Sequence, residues 1–240
     1  MPLSLRTRTR PDSVVTFPAR PRLFKRHREA QLHRKIARDE VEAVVSHLLE
    51  DGKTRLTTGD LTHAIANNSL GVLRGHAESS EWNFDSDHLF LAVERNSFAV
   101  LRWSVQRKVA RHDVSGWEGE EEWLEAANHM PMLATRLGHT GMLEWMLSGE
   151  CKRLFDEGSS GHCLCEEAAS CGNWSTLMFL IDHGAKGVHS AESRNTIARI
   201  VDEHFSRSEG SLMSLESRSV RKMREEIQTA LKTYAFRDDP

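Results

Sequence analysis

Residues 168–185 decide the fold, and they read Ala-Ala-Ser-Cys-Gly-Asn-Trp-Ser-Thr-Leu-Met-Phe-Leu-Ile-Asp-His-Gly-Ala. A small residue at Ala168 lets two helices approach closely. Gly172, four residues later, can adopt the left-handed conformation that ends a helix. Apolar residues follow nine, twelve and thirteen positions after Ala168, where they would share one face of a second helix. The segment therefore predicts a helix–turn–helix unit.

The same spacing recurs along the chain, in copies that begin at Ile36, Ala64, Ala92, Ala134 and Ala168. The first position is Ala in four of five copies, the fourth after it is Gly or Asn in four, and the ninth and thirteenth are apolar in all five. Steps of 28, 28, 42 and 34 residues fit one helix–turn–helix unit plus a connection. Strand signals are weak by comparison. We therefore predict an all-α fold, a solenoid of about five stacked helix–turn–helix repeats.

The residues of these copies resemble the ankyrin repeat family. Residues 168–185 are similar to its AAxxGHxxVVxxLLxxGA pattern, and Gly138-His139 matches its GH pair. The stretch 44–52, Val-Val-x-x-Leu-Leu-x-x-Gly, matches its VVxxLLxxG end. The resemblance covers roughly residues 30–187 and implies a solenoid that binds a protein through its loops and concave face. The family's TPLH tetrapeptide is absent from every copy, so the resemblance does not extend to the regular β-turn finger that this tetrapeptide supports.

Charge and proline divide the chain of 240 residues into an arm and a body. Residues 1–38 hold 11 basic and 2 acidic side chains and four of the six prolines, whereas residues 39–240 hold 21 basic and 33 acidic side chains. The predicted organisation is a basic, largely disordered arm over 1–28, the solenoid over 29–187 with an insertion at 107–125, a helix over 188–205, a flexible Ser-rich linker over 206–219, and an amphipathic helix over 220–236. This last helix is expected to cap the stack, with a partner-binding or dimerising role as the alternative.

The step of 42 residues contains the largest insertion, in which residues 117–123 read Trp-Glu-Gly-Glu-Glu-Glu-Trp. Insertions in repeat proteins lie on one face, often the binding face. Exposed Trp among acidic residues would suit a basic or amphipathic partner. The predicted partner-binding residues are Trp117, Glu118, Glu120, Glu121 and Trp123. The alternative is that both Trp side chains pack onto the stack while the glutamates are merely solvated.

The basic residues of the arm form a second candidate site, consisting of Arg20, Arg22, Lys25, Arg26 and Arg28. Three interpretations stay open: a nuclear-import or nucleic-acid-binding patch, a mitochondrial presequence, or a solvated disordered tail. The arm could also rest on the acidic body of the same chain.

Other function classes lack their signals. The longest apolar run has five residues, against roughly 20 for a membrane span, so we expect no membrane segment and a cytoplasmic or nuclear location. The four cysteines lack the paired spacing of a zinc site, so we expect buried thiols and no metal. No common catalytic or cofactor motif is present, so we expect no catalytic residues and no cofactor. The predicted function is a non-enzymatic protein-interaction scaffold or adaptor. A nucleic-acid-associated or nuclear protein that uses the basic arm is the alternative, and the oligomeric state stays open.

Overall fold

A computed structural model describes residues 21–51, 55–79, 84–112, 121–148, 155, 164–185, 188–209 and 216–235. Within these ranges the chain forms twelve α-helices and no strand, which confirms the all-α prediction. The helices are α1 (Pro21–Ala37), α2 (Val41–Glu50), α3 (Thr58–Ala66), α4 (Leu70–Ser79), α5 (Ser86–Glu94), α6 (Phe98–His112), α7 (Glu121–Leu137), α8 (Thr140–Leu147), α9 (Leu164–Ser170), α10 (Trp174–Asp182), α11 (Ala191–Glu209) and α12 (Glu216–Ala235).

Successive helices pair into hairpins, and the hairpins lie side by side in two rows. The odd-numbered helices from α1 to α11 contact one another in order and form the first row. The even-numbered helices form the second row, in which α6 and α8 make the weakest contact between described neighbours. The core lies between the rows, where Ala64, Ala92, Ala134 and Ala168 are fully buried. This arrangement is compatible with an α-solenoid.

The first helix of each of the first five hairpins ends in the same turn. In the fifth copy, the N–H of Gly172 donates to the carbonyl of Ala169 at 3.1 Å, and the N–H of Asn173 donates to Ala168 at 2.9 Å. This pair of bonds satisfies carbonyls that the helix end would leave unpaired. Left-handed backbone occurs at the predicted position in four copies, with φ of 56° at Asn68, 53° at Asn96, 73° at Gly138 and 71° at Gly172. The predicted helix-ending role of these four residues is therefore confirmed.

The first copy begins one residue earlier than predicted. Its left-handed residue is Asp39, with φ 56°, and the N–H of the next residue donates to the carbonyl of Lys35 at 3.1 Å. Asp is among the few residues that tolerate this conformation, so it replaces Gly or Asn at the turn. The copy therefore starts at Lys35 rather than Ile36, which rotates the apolar face of α2 by one residue.

The shift changes which apolar residues of α2 are buried. Val44 and Leu48 are 3% and 8% exposed and belong to the core, whereas Val45 and Leu49 are 50% and 68% exposed. The doublets Val44-Val45 and Leu48-Leu49 satisfy the apolar pattern in either register, which is why the sequence does not distinguish them.

Several helices cross the predicted domain boundaries. Helix α1 begins at Pro21, within the predicted arm, and proline fits the first position of a helix. Helices α6 and α7 overlap the predicted insertion and leave residues 113–120 between them, and α11 and α12 overlap the predicted linker and leave residues 210–215 between them. Those two stretches and residues 1–20 lie outside the described ranges.

The C-terminal helix α12 packs against α10 and α11. Ile227 and Leu231, two members of its apolar face, are buried in the core, while Met223 on the preceding turn is exposed. Arg224 joins α12 to α11 by donating from Nε to Asp202 Oδ1 at 2.8 Å. These contacts favour the capping interpretation of α12 over a free partner-binding helix.

Candidate functional site

Side-chain hydrogen bonds tie successive hairpins together at equivalent positions. Ser69 Oγ donates to the carbonyl of Ile36 at 2.6 Å, and Ser97 Oγ donates to the carbonyl of Ile65 at 2.5 Å. Asn173 Nδ2 makes the corresponding bond to the carbonyl of Thr135 at 2.8 Å, two copies further along. The recurrence shows that the hairpins are stacked in a constant register at these junctions. Such ties hold the surface residues of neighbouring hairpins at fixed separations.

A second set of bonds runs from the end of a first-row helix to the start of the second-row helix in the following copy. Asn68 Oδ1 accepts from the N–H of Val100 at 3.1 Å, and the Asp39 carboxylate accepts from Gly71 at 3.0 Å and Val72 at 2.8 Å. These side chains accept hydrogen bonds from N–H groups that have no partner within the helix. The negative charge of a carboxylate at this position also interacts favourably with the helix dipole. A Cβ on Gly71 would lie 2.9 Å from an Asp39 oxygen, so a larger residue there would displace this carboxylate.

The regular ties are interrupted between the third and fourth copies. His139 stands where Ser69, Ser97 and Asn173 stand in their copies, and its buried Nε2 has no hydrogen-bond partner among the described residues. Aromatic contacts join the helices here instead, with ring centroids 5.8 Å apart for Phe98 and Trp145. This junction coincides with the insertion at 113–120 and with the weak contact of α6 with α8.

The position of Trp123 differs from the one predicted for it in the partner site. It lies in α7, where it is 4% exposed, and the ammonium of Lys108 lies 5.8 Å from its ring centroid. The indole packs into the core between α7 and its neighbours because α7 begins at Glu121 and turns this side chain inwards. Trp123 is therefore not an exposed partner contact. The other predicted residues Trp117, Glu118 and Glu120 lie outside the described ranges.

Glu121 belongs instead to a group of exposed carboxylates at the starts of α5 and α7. We define the acidic surface as Asp85, Asp87, Glu121, Glu122 and Glu125, all of which are exposed. Ser86 Oγ donates to Glu122 Oε1 at 2.9 Å, which places the two helix starts side by side. Carboxylates at helix starts stabilise the helices themselves, and together they also create a negative surface.

Sequence reasoning found the α7 part of this surface and missed the α5 part. Asp85 caps α5, because its carboxylate accepts from the N–H of His88 at 2.9 Å. The capping role of Asp85 could be predicted from the sequence around it. Its position beside Glu122 could not be predicted, because that position depends on how α5 packs against α7.

The basic candidate residues lie partly on α1. Arg26 and Arg28 are exposed on this helix, and Arg28 pairs with Asp51 at the end of α2. Arg22 and Lys25 also belong to α1, while Arg20 lies outside the described ranges. The exposed arginines therefore lie on a helix that packs against α2 and α3.

The cysteines do not assemble a site in the described part of the chain. Cys165 is fully buried, as expected, but Cys171 is exposed, and Cys151 and Cys163 lie outside the described ranges. Partial desolvation, followed by the nearby Glu167 carboxylate, raises the pKa of the Cys171 thiol. The thiol is therefore protonated at neutral pH and is a poor nucleophile.

Histidine and carboxylate groups also converge between α1 and α3. His33 Nε2 lies 3.2 Å from Asp60 Oδ1, and the His33 and His63 rings stack with centroids 4.3 Å apart. The Nε2 atom of His63, however, lies 3.1 Å from the His33 carbonyl oxygen, so the contact ties α1 to α3. Across the described ranges, no group of three or more His, Cys, Asp or Glu residues could hold a metal ion.

None of the described helices combines the length and the apolar character that crossing a bilayer requires. Comparison with known proteins finds nothing similar to the chain, since no family model, no curated protein and no solved structure matches it.

Proposed function

We propose that this chain is a non-enzymatic protein-interaction scaffold or adaptor. In this proposal its hairpins form an ankyrin-like α-solenoid that binds a protein partner through its loops and concave face. The recurring turns and the contacts between copies support it, because they hold surface residues in place before a partner arrives. Between the third and fourth copies, where the regular ties are interrupted, the packing of α5 against α7 and the Ser86–Glu122 bond provide this contact. A preorganised surface loses less conformational freedom on binding, which leaves more of the contact energy for affinity.

The observation that carries the proposal is the acidic surface at the starts of α5 and α7. Its five carboxylates come from two hairpins that are held together by the Ser86–Glu122 bond. A basic segment of a partner would find several negative charges at fixed positions, which favours fast association and selects against acidic partners. The insertion that follows α6 leads directly into this surface at Glu121.

Charge reversal on the acidic surface tests the proposal. The partner is first recovered with the full-length chain and then purified, so that the binary affinity can be measured by isothermal titration. We expect the double variant Glu121→Lys and Glu125→Lys to lower the affinity by about tenfold or more, since it reverses two charges of the interface. Glu144→Lys is the matched control, because Glu144 is an exposed acid on α8 in the other row. Equal affinity for all three proteins would reject the acidic surface as the binding site.

The exposed basic residues of α1 favour a second candidate, a nucleic-acid-associated protein of the cytoplasm or nucleus. Arg26 and Arg34 are exposed on the same helix, without acidic residues in its first turn. The test is binding of a duplex oligonucleotide. Affinity that falls steeply as the salt concentration rises, and that is lost in the double variant Arg26→Glu and Arg34→Glu, would support this candidate. Absence of a salt-dependent mobility shift at low ionic strength would reject it.

A further inference from the structure

We propose that the groove between α2 and α4 binds a short peptide segment of a second protein, and that this segment presents two apolar side chains and an acidic residue close to them. The groove is a separate surface from the acidic surface, so the inference goes beyond the function proposed above. The residues that line it are Val41, Val44, Val45, Leu48, Leu49, Arg55, Leu56, Val72, Gly75 and His76.

The outward face of α2 is apolar where the other copies are mainly polar. Counted from Lys35, Val45 and Leu49 lie ten and fourteen residues into the first copy. The residues at the same two positions of the later copies are Arg74 and Glu78, Arg102 and Gln106, Glu144 and Ser148, and Met178 and Asp182. Seven of these eight are polar, as a solvated helix face requires. Two exposed aliphatic side chains on consecutive turns of α2 therefore need an explanation other than the fold itself.

The shape of the groove depends on glycine. Val41 packs against α4 where a Cβ on Gly75 would lie 3.4 Å from Val41 Cγ1, so Gly75 leaves space beside it. The groove encloses about 220 Å³. This is less than the roughly 300–1,000 Å³ of sites that enclose a whole small-molecule ligand. It fits instead a few side chains of a longer segment, as in recognition of an amphipathic helix through residues three or four apart.

The charge of the groove favours an acidic residue in the bound segment. Arg55 lines the groove and is exposed, and no carboxylate of the described residues lies within ion-pair distance of its guanidinium. His76 lies beside it and is buried, and burial and then Arg55 lower the pKa of its imidazole. Among the described residues that line the groove, Arg55 is therefore the one that is positively charged at neutral pH. A carboxylate next to the apolar anchors would pair with it at the edge of an apolar surface.

The same charge argues against the basic arm of this chain as the occupant. The arm carries an apolar group at Val14, Val15 and Phe17, but Arg20 and Arg22 follow it. An arm segment seated in the groove would bring further positive charge towards Arg55. A segment with an acidic residue at that position fits better, which points to a separate protein.

A random peptide library displayed on phage tests the proposal with the full-length chain as the target. Each peptide should have roughly 14 residues, enough for about four helical turns. We expect enriched peptides to carry two apolar residues three or four apart and an Asp or Glu within one turn of either of them. Failure to enrich any peptide, or enrichment of peptides without the acidic residue, would overturn the proposal.

Matched variants then locate the binding site of an enriched peptide by fluorescence anisotropy. Leu49→Lys should weaken binding by about tenfold or more. Arg55→Glu should weaken binding of the acidic peptide and should bind more tightly the peptide in which Lys replaces the acidic residue. Met223→Lys is the control for an exposed apolar residue elsewhere, and it should bind like the original chain. Unchanged binding to Leu49→Lys would overturn the proposal, as would a tenfold gain on deleting residues 1–20, which would identify the arm as the occupant. Glu121→Lys with Glu125→Lys should leave peptide binding unchanged, so that failure of the acidic surface and failure of the groove are distinguishable.

Discussion

The side-chain oxygen of Asn68 accepts a hydrogen bond from the backbone N–H of Val100 at 3.1 Å, which links the end of α3 to the start of α6. The same residue ends α3 in a left-handed conformation with φ 56°. One asparagine therefore performs two functions, ending a helix of its own copy and capping a helix of the next. Asp39 performs the same two functions one copy earlier, through Gly71 and Val72.

Substitutions of Asn68 separate these two functions. Asn68→Gly keeps the left-handed backbone and loses the hydrogen bond, so it should lower the free energy of unfolding by about 1 kcal/mol. Asn68→Ala loses the bond and also strains the turn, so the loss should be about 2 kcal/mol. Urea denaturation followed by circular dichroism measures both. Asn195→Ala, at an exposed position of α11, is the control and should change little. Equal losses for Gly and Ala would argue against the conformational role of Asn68.

The register of α2 predicts opposite outcomes for two adjacent leucines. Leu48→Ala removes a core side chain and should lower the free energy of unfolding by about 2–4 kcal/mol. Leu49→Ala removes an exposed side chain and should change it by less than about 0.5 kcal/mol. The same denaturation experiment compares the two variants. A larger loss of unfolding free energy for Leu49→Ala than for Leu48→Ala would support the register that begins at Ile36.

Burial of Trp123 predicts that this residue acts on stability. Trp123→Ala should lower the free energy of unfolding by about 3–5 kcal/mol, since it removes a large side chain from the core. Trp123→Phe, which keeps most of the apolar volume, should lose less. Thermal unfolding of both variants provides the measurement, and a melting temperature equal to that of the original chain would contradict the core position.

His76 makes stability depend on pH. Burial and Arg55 lower the pKa of its imidazole below the ordinary value of 6.5 in the folded chain. Below pH 6.5 the unfolded chain therefore binds more protons at this residue than the folded chain does. The contribution of His76 to the free energy of unfolding is complete above pH 6.5 and is lost as the pH falls through the pKa of the folded state. Comparison of urea midpoints at neutral and mildly acidic pH should show a smaller decrease for His76→Gln. An equal decrease in both proteins would remove His76 as the cause.

Much of the fold could be predicted because its signals are local. The spacing of Ala64 and Asn68, or of Ala168 and Gly172, specifies a helix end within five residues, and the structure shows the turn at those positions. The first copy was misplaced by one residue because Asp39 replaces Gly or Asn at the turn. The paired apolar residues of α2 did not correct the error, since they fit either register.

The candidate site was harder to predict because it is made by packing. Glu121 could be found from its Glu-rich neighbourhood, but Asp87 joins it only through the contact of α5 with α7. Trp123 is surrounded by acids in sequence and by the core in space, because the helix that begins at Glu121 sets its direction. Helix α1 was predicted only in part, since its first half is rich in arginine and lacks an apolar face.

Hydrogen exchange of the full-length chain, with and without its purified partner, tests the central claim most directly. If the chain is a scaffold that binds through the acidic surface, the partner should slow exchange in the segments that begin α5 and α7, residues 85–94 and 121–130, with the stack otherwise unchanged. Unaltered exchange in both segments on a saturated complex would contradict the account.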